Sequence, residues 1–349
     1  MAPTSRKPEL SRLNVLFCLL VVYIHVAAHP VSNLDRSGLI YAAILVSQRL
    51  SFVSVPGFFL LSGLKLTLPR TTPVPLGRYY LGRAKALLLP YLGVSLAYYL
   101  VFVFGLGWFP FSWKDFGGYL ARGDLSAQFY FLIALFQFTA LAPVFRRLSR
   151  RWSPLLLIPF SLGIMWLSSI YFNDALRIFL PGAEFPYSDR VFTSYLAYYL
   201  AGCCIGHNYS RFKAFLRENR GLIGALFGLF ALADGWLSVL SFSGRRYVPF
   251  LEYVHTLYIF SAILFLFDLC ARTEAPLSRP WAAIDRVSFD IYLWHCLVIT
   301  LFNSFAPRLG LDRVGEQFVV RFVLAYTVTI SGCLLWHKLL YGIKKENRR

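Results

Sequence analysis

The chain has 349 residues, of which 57% are apolar, 18% aromatic and only 15% charged. Water-soluble domains average about 25% charged residues, so this composition cannot cover a soluble surface and leaves a polytopic membrane protein; the high apolar content excludes disorder, and six cysteines over this length exclude a disulfide scaffold. The formal net charge of +18 suits nucleic acid, an anionic membrane surface or a phosphorylated ligand, and the placement of the charges must decide.

A membrane span needs about 20 mainly apolar residues. Ten such runs follow one another, at 13–31, 39–64, 86–107, 127–145, 153–172, 191–206, 221–240, 250–271, 287–305 and 318–343. The first run is followed by His29-Pro30 and charged residues without a small-x-small cleavage site, so it is expected to stay in the mature protein. If the runs alternate across the membrane, 24 Lys and Arg fall on the side of the N-terminus and 9 on the other, with Arg49 and Arg321 inside spans. The positive-inside rule then predicts cytoplasmic termini and an even number of spans. The expected fold is an all-α, multi-pass protein of the cell membrane with about ten transmembrane helices. A basic N-terminus covers 1–12, one integral domain 13–343, and a basic tail 344–349. Most of the positive charge becomes a cytoplasmic girdle facing the lipid bilayer, which makes a nucleic-acid partner unnecessary.

Polar groups inside spans are expensive and mark candidate sites. Span 1 carries Asn14, Cys18, His25 and His29 at spacings that bring them close to one helical face. His25 lies about 18 Å along the axis from Leu13 at 1.5 Å per residue, past the midplane. Two readings fit it, a general base acting on a hydroxyl and a structural interhelical hydrogen bond. His25 and His29 also have the spacing of a metal pair, but no carboxylate or third ligand stands beside them, so no metal is assigned. Span 2 carries Arg49 and then Pro56-Gly57-Phe58-Phe59-Leu60-Leu61-Ser62-Gly63, where a kink or cavity is expected. A Pro-rich basic connection with Arg78, Arg83 and Lys85 follows, and a turn-rich loop runs from Pro181 to Pro186. In span 9, Ser288, Tyr292 and His295 fall on one face; the stripe either lines a cavity or packs. Asp234, Glu252, His255, Asp268 and Arg321 complete the set, with Glu252 and His255 sharing a face. No phosphate loop, Gly-x-Ser-x-Gly elbow, His-Glu-x-x-His or Cys-x-x-Cys occurs.

The order of these features resembles the integral-membrane acyltransferase 3 family, bacterial O-acyltransferases that modify surface polysaccharides, peptidoglycan and small glycosides. Leu19 to His25 is similar to the family's first span, and Phe58-Phe59-Leu60-Leu61-Ser62-Gly63 to its FF-x-x-SG signature. Arg83 to Pro90-Tyr91, Phe129 to Leu132 with Leu141-Ala142-Pro143, Tyr199 to Gly202, and Ser288 to His295 resemble later patches in the same order. The family's Arg, separated from its His by ten residues, is Asn14 here, with Arg12 two residues earlier, and a second family Arg after the one matched by Arg83 is Ala86, beside Lys85. The resemblance implies transfer of an acyl group, typically acetyl, from acetyl-CoA or another acyl-CoA as co-substrate, with no permanently bound cofactor, to a hydroxyl of a carbohydrate or cell-envelope acceptor. His25 is then the expected general base. Arg12, Asn14, Arg49, Ser62, Arg83, Lys85, Ser288, Tyr292 and His295 are the expected acyl-CoA or acceptor contacts. A transporter or flippase for a lipid-linked or polysaccharide substrate is the alternative, against which stand the motif matches and the lack of an inverted repeat.

Overall fold

The computed structural model describes residues 7–69, 75–182, 185–311 and 313–346. Ala183 and Glu184 of the turn-rich loop, Arg70, and the ends of the basic N-terminus and tail lie outside the described residues. The regular structure among the described residues is helical. The helices are α1 Pro8–Asn33, α2 Leu39–Ser51, α3 Ser54–Thr67, α4 Leu76–Arg83, α5 Leu89–Leu100, α6 Trp113–Arg122, α7 Tyr130–Ala140, α8 Ala142–Arg151, α9 Pro154–Phe179, α10 Leu196–His207, α11 Tyr209–Glu218, α12 Arg220–Phe242, α13 Leu251–Ala271, α14 Arg279–Phe305 and α15 Val314–Glu346.

Eight helical stretches among the described residues are long and apolar enough to cross a membrane, and a ninth if the bent pair 127–151 counts as one span. The protein is therefore an all-α polytopic membrane protein, as its composition implies. The difference from about ten spans has two local causes. Pro143, in the first turn of α8, has no N–H with which to continue the hydrogen-bond ladder of α7, and the chain bends by 65° between α7 and α8. The run read at 191–206 forms α10, whose 12 residues extend only about 18 Å at 1.5 Å each. The expected break around Pro56 is also present: α2 ends at Ser51, and α3 starts at Ser54 with Pro56 in its first turn, where a missing N–H costs nothing. Ser51 and Ser54 donate their hydroxyls to the carbonyls of Ser47 and Ser51 across this break.

The chain divides into two compact units, residues 1–57 with 213–349, and residues 58–212. In the first unit α1 packs against α2, α13, α14 and α15, while α12 pairs with α13 and α2, and α14 pairs with α15. Leu13, Val15, Phe17, Cys18, Val22, Val26 and Ala27 of α1 are almost fully buried. Its start, the end of α13 and the start of α14 share one end of this unit, where Lys213 meets Glu9, and Asp268 accepts from Arg220 and Arg272.

In the second unit α3 and α10 meet backbone to backbone. A Cβ on Gly63 would stand 2.1 Å from the Tyr199 carbonyl oxygen, and one on Gly202 2.0 Å from that of Leu60. Thr67 fixes the register by donating its hydroxyl to the Cys203 carbonyl at 2.8 Å. Small residues that let helices touch are the usual device in lipid, where exclusion of water does not drive helix pairing. Phe59 then stands among Tyr195, Phe131 and Phe138 at ring distances of 4.4, 4.6 and 5.3 Å. α10 is thus a buried core helix of this unit, and that is why a short apolar run suffices there.

Candidate active site

The site is a seam between α1 and α14, which run parallel in constant register. Ser11 donates to Asp285 Oδ2 at 2.8 Å. Asn14 Nδ2 donates to Asp285 Oδ1 at 2.8 Å and to Ser288 Oγ at 2.7 Å, and Cys18 Sγ approaches the Ser288 carbonyl at 3.4 Å. Further along, the rings of His25 and His295 face each other at 5.1 Å, tilted by 52°. The polar positions follow spacings of three, four and seven on α1, at 11, 14, 18 and 25, and of three and four on α14, at 285, 288, 292 and 295. That spacing is the seam pattern of two helices packed side by side. The two stripes read separately in spans 1 and 9 are therefore the two halves of one seam.

His295 is fully buried. Its Nδ1 lies 3.0 Å from the Ile291 carbonyl, an acceptor only, so the proton sits on Nδ1 and Nε2 carries the lone pair. The Cys296 thiol lies 3.3 Å from that Nε2 and donates to it. The Tyr292 ring is 6.2 Å from His295. His25 remains partly exposed, so a fixed imidazole backs a more accessible one. His25, His295 and Cys296 each place one ligand-type atom within 4.8 Å of the others. It is this trio, rather than His25 with His29, whose donors match the chemistry of a zinc-type ion.

The remaining residues singled out in the sequence lie elsewhere because their helices aim them elsewhere. Arg12 points away from the seam. Its guanidinium donates to the carbonyls of Cys270 at 2.9 Å, Thr273 at 2.7 Å and Ala275, where α13 ends. Asn14 holds the seam position on its own. Arg49 meets Glu252 at 2.9 Å and Asp234 at 3.5 Å, and Asp234 accepts from His255 Nδ1 at 2.8 Å. Glu252 and His255, which share a face in the sequence, thus enter two separate cross-helix pairs. The sign of the charges in spans 2, 7 and 8 hinted at partners, but the choice of partner depends on the α12–α13 hairpin. Ser62, Arg83 and Lys85 belong to the second unit: Ser62 is partly exposed on α3, the Arg83 guanidinium lies 5.7 Å from the Tyr79 ring, and Lys85 is exposed in a π-helical turn over 84–88. Asp285 and Cys296 are residues of the candidate site that the sequence did not reveal. Asp285 precedes the apolar run, and Cys296 reads as apolar filler; the i,i+3 spacing of Asp285 from Ser288 is the signal that could have found the first.

Comparison with known proteins assigns this architecture. Residues 10–337 match the family described as "Acyltransferase domain". A Bacillus subtilis protein named "Putative membrane-bound acyltransferase YfiQ" is 26% identical over 350 residues, covering 96% of this chain and 92% of the relative. A Staphylococcus epidermidis protein named "Probable poly-beta-1,6-N-acetyl-D-glucosamine export protein" is 23% identical over 302 residues, covering 84% and 81%. No solved structure matches. With the family match running from the start of α1 to within α15, and so through both halves of the histidine seam, the chain belongs to the acyltransferase 3 family and is a multi-pass, membrane-bound acyltransferase.

Proposed function

We propose that the protein moves an acyl group, acetyl in the simplest case, from acyl-CoA to a hydroxyl of a carbohydrate or cell-envelope acceptor, with His25 as the general base. The observation that carries this reading is the pairing of His25 with His295 across the seam at 5.1 Å. His25 takes the proton of the acceptor hydroxyl as its oxygen attacks the thioester carbonyl. The tetrahedral oxyanion then collapses, the carbon–sulfur bond breaks, and the CoA thiolate leaves and recovers a proton from His25. His295 is a positioning residue: with Nδ1–H held by Ile291 and Nε2 accepting from the Cys296 thiol, its ring is fixed, and its packing against His25 at 5.1 Å sets the orientation of that ring. For Arg83 and Lys85 the reading rests on charge alone, since two neighbouring cations suit the phosphates of a CoA donor. The polysaccharide in the staphylococcal relative's name supports a carbohydrate acceptor.

Polysaccharide export is the second reading, favoured by the word "export" in that same name. Purified protein in nanodiscs with labelled acetyl-CoA separates the two. Acyl transfer expects CoA release that depends on an added glycan hydroxyl and is lost in His25→Ala. Equal CoA release by wild type and His25→Ala would overturn the assignment of His25. Absence of turnover with every glycan, together with transport in sealed vesicles, would favour export.

A further inference from the structure

Among the described residues of the first unit, Arg321 is the one Lys or Arg that is buried, and it lacks the carboxylate partner that several more exposed cations have. Arg49 has Asp234 and Glu252, Arg220 and Arg272 share Asp268, and Lys213 has Glu9. Arg321 on α15 is 1% exposed, among the most buried side chains of the protein, and its partners are neutral. Its Nε donates to Asn303 Oδ1 at 2.8 Å, its Nη2 lies 3.4 Å from Gln317 Oε1, and its guanidinium lies 5.3 Å from the Phe302 ring. Nη1 is buried without a partner, and so is Nδ1 of His29. Two amides and a ring orient the guanidinium without neutralising it. A buried charge left uncompensated is strongly unfavourable, and an ordered donor set without its counter-charge is what an anion site looks like before its ligand arrives.

The depth of this group follows from the helix register. Tyr326 of α15 donates its hydroxyl to the Leu19 carbonyl, and Phe322 packs on Tyr23 at 6.3 Å. α15 therefore runs antiparallel to α1, and Arg321 stands level with the turn of α1 that bears His25. Its side chain extends toward Asn303, eight residues beyond His295 on α14. His29, near enough to Arg321 to interact electrostatically, follows His25 by one turn. The orphaned donors thus lie about one helical turn, roughly 5.4 Å, beyond His25 toward the end opposite the termini, a span close to the width of a sugar ring.

We infer that Arg321, oriented by Asn303 and Gln317 and flanked by His29, is an oxyanion subsite that holds a carboxylate or phosphate group of the acceptor while a hydroxyl of the same sugar reaches His25. The substrate class is then an acidic glycan. This assignment of the bound group to an acceptor rests on the acyl-transfer reading; the anion site itself does not.

The test is thermal unfolding of the full chain in nanodiscs, without acyl-CoA and at fixed ionic strength, with methyl glucuronide, glucose 6-phosphate or methyl glucoside. The wild type is expected to be stabilised by one or both acidic sugars and not by the neutral one, and the two acidic arms tell carboxylate from phosphate. Arg321→Gln is expected to weaken the apparent affinity at least tenfold, with Arg321→Lys retaining part of it. Should Arg321→Gln fail to fold, Asn303→Ala and His29→Gln serve instead, each expected to weaken binding severalfold. No stabilisation by either acidic sugar overturns the proposal, as does equal stabilisation of wild type and Arg321→Gln, or of wild type and both substitutes. Acidic-sugar binding without acyl transfer would keep the subsite and remove the acyltransfer reading of it; transfer to neutral sugars alone would do the reverse.

Discussion

The two units bury polarity in opposite ways. The first places Asp234, His255, Asp268, His295 and Arg321 in its interior, all under 10% exposed. In the second, the buried polar side chains among the described residues are neutral: Thr67, Ser95, Gln128, Ser149 and Ser161. Its core is made of rings and of helix backbones in contact, with Phe138 stacked on Tyr199 at 4.2 Å and Gly63 against the Tyr199 carbonyl. Motifs that look alike in sequence therefore do different work. The His25 and Ser288–His295 patches meet in the polar seam to which we assign the chemistry, whereas Phe59, Gly63 and Gly202 in the FF-x-x-SG and Tyr-x-x-Gly patches let two helices touch.

The sharpest break of this comparison comes from His25→Ala, expected to lower turnover by about 10²- to 10⁴-fold, the usual worth of a general base, with an unchanged unfolding midpoint. A midpoint that falls in step with turnover would make His25 structural and erase the contrast. Asp234→Asn is expected to act the other way. It leaves Arg49 and His255 without their shared buried carboxylate, a loss of about 3–5 kcal/mol for a broken buried pair. The checking measurement is a lower thermal midpoint, with turnover per folded molecule retained at low temperature. Gly63→Ala follows, at about 1–3 kcal/mol for overpacking, because its Cβ would meet the Tyr199 carbonyl oxygen and push α3 from α10. Lower yield with unchanged turnover per folded molecule is expected, and a loss of turnover alone would move chemistry into the second unit.

What was legible in the sequence is what a periodic pattern can carry. The polar stripes of spans 1 and 9 stood out because His25, His295 and their neighbours interrupt apolar runs at helical spacing, and the break before Pro56 followed from proline's missing N–H. The meeting of the stripes was not legible, because the register of Asn14 with Asp285 and Ser288 joins residues some 270 positions apart and no local pattern encodes it. The choice of Asp234 rather than Glu252 as the partner of His255 was hidden for the same reason. A twelve-residue α10 escaped because an apolar run looks the same whether it faces lipid or a protein core. Arg321 was visible as a charge in a span, but its lack of a carboxylate partner is a property of three packed helices.

Arg12 gives the smallest effect and the finest discrimination. The resemblance left open whether it replaces the family arginine, since Asn14 occupies that position. Its three carbonyl partners, Cys270, Thr273 and Ala275, sit where α13 runs out of intrahelical donors. A guanidinium there acts as a cap and meets the negative end of the helix dipole. Arg12→Ala is therefore expected to lower stability by about 1 kcal/mol, the usual worth of a helix-terminus interaction, and to leave turnover within about twofold. Arg12→Lys decides between a cap and a donor-binding charge. Lysine keeps the charge but lacks the planar fork that reaches several acceptors at once. If Arg12 is a cap, the lysine variant tracks alanine in thermal midpoint and neither changes the KM for acyl-CoA. If Arg12 serves the phosphates of the donor, lysine restores that KM while alanine raises it, and the residue joins the chemistry of the first unit rather than its scaffold.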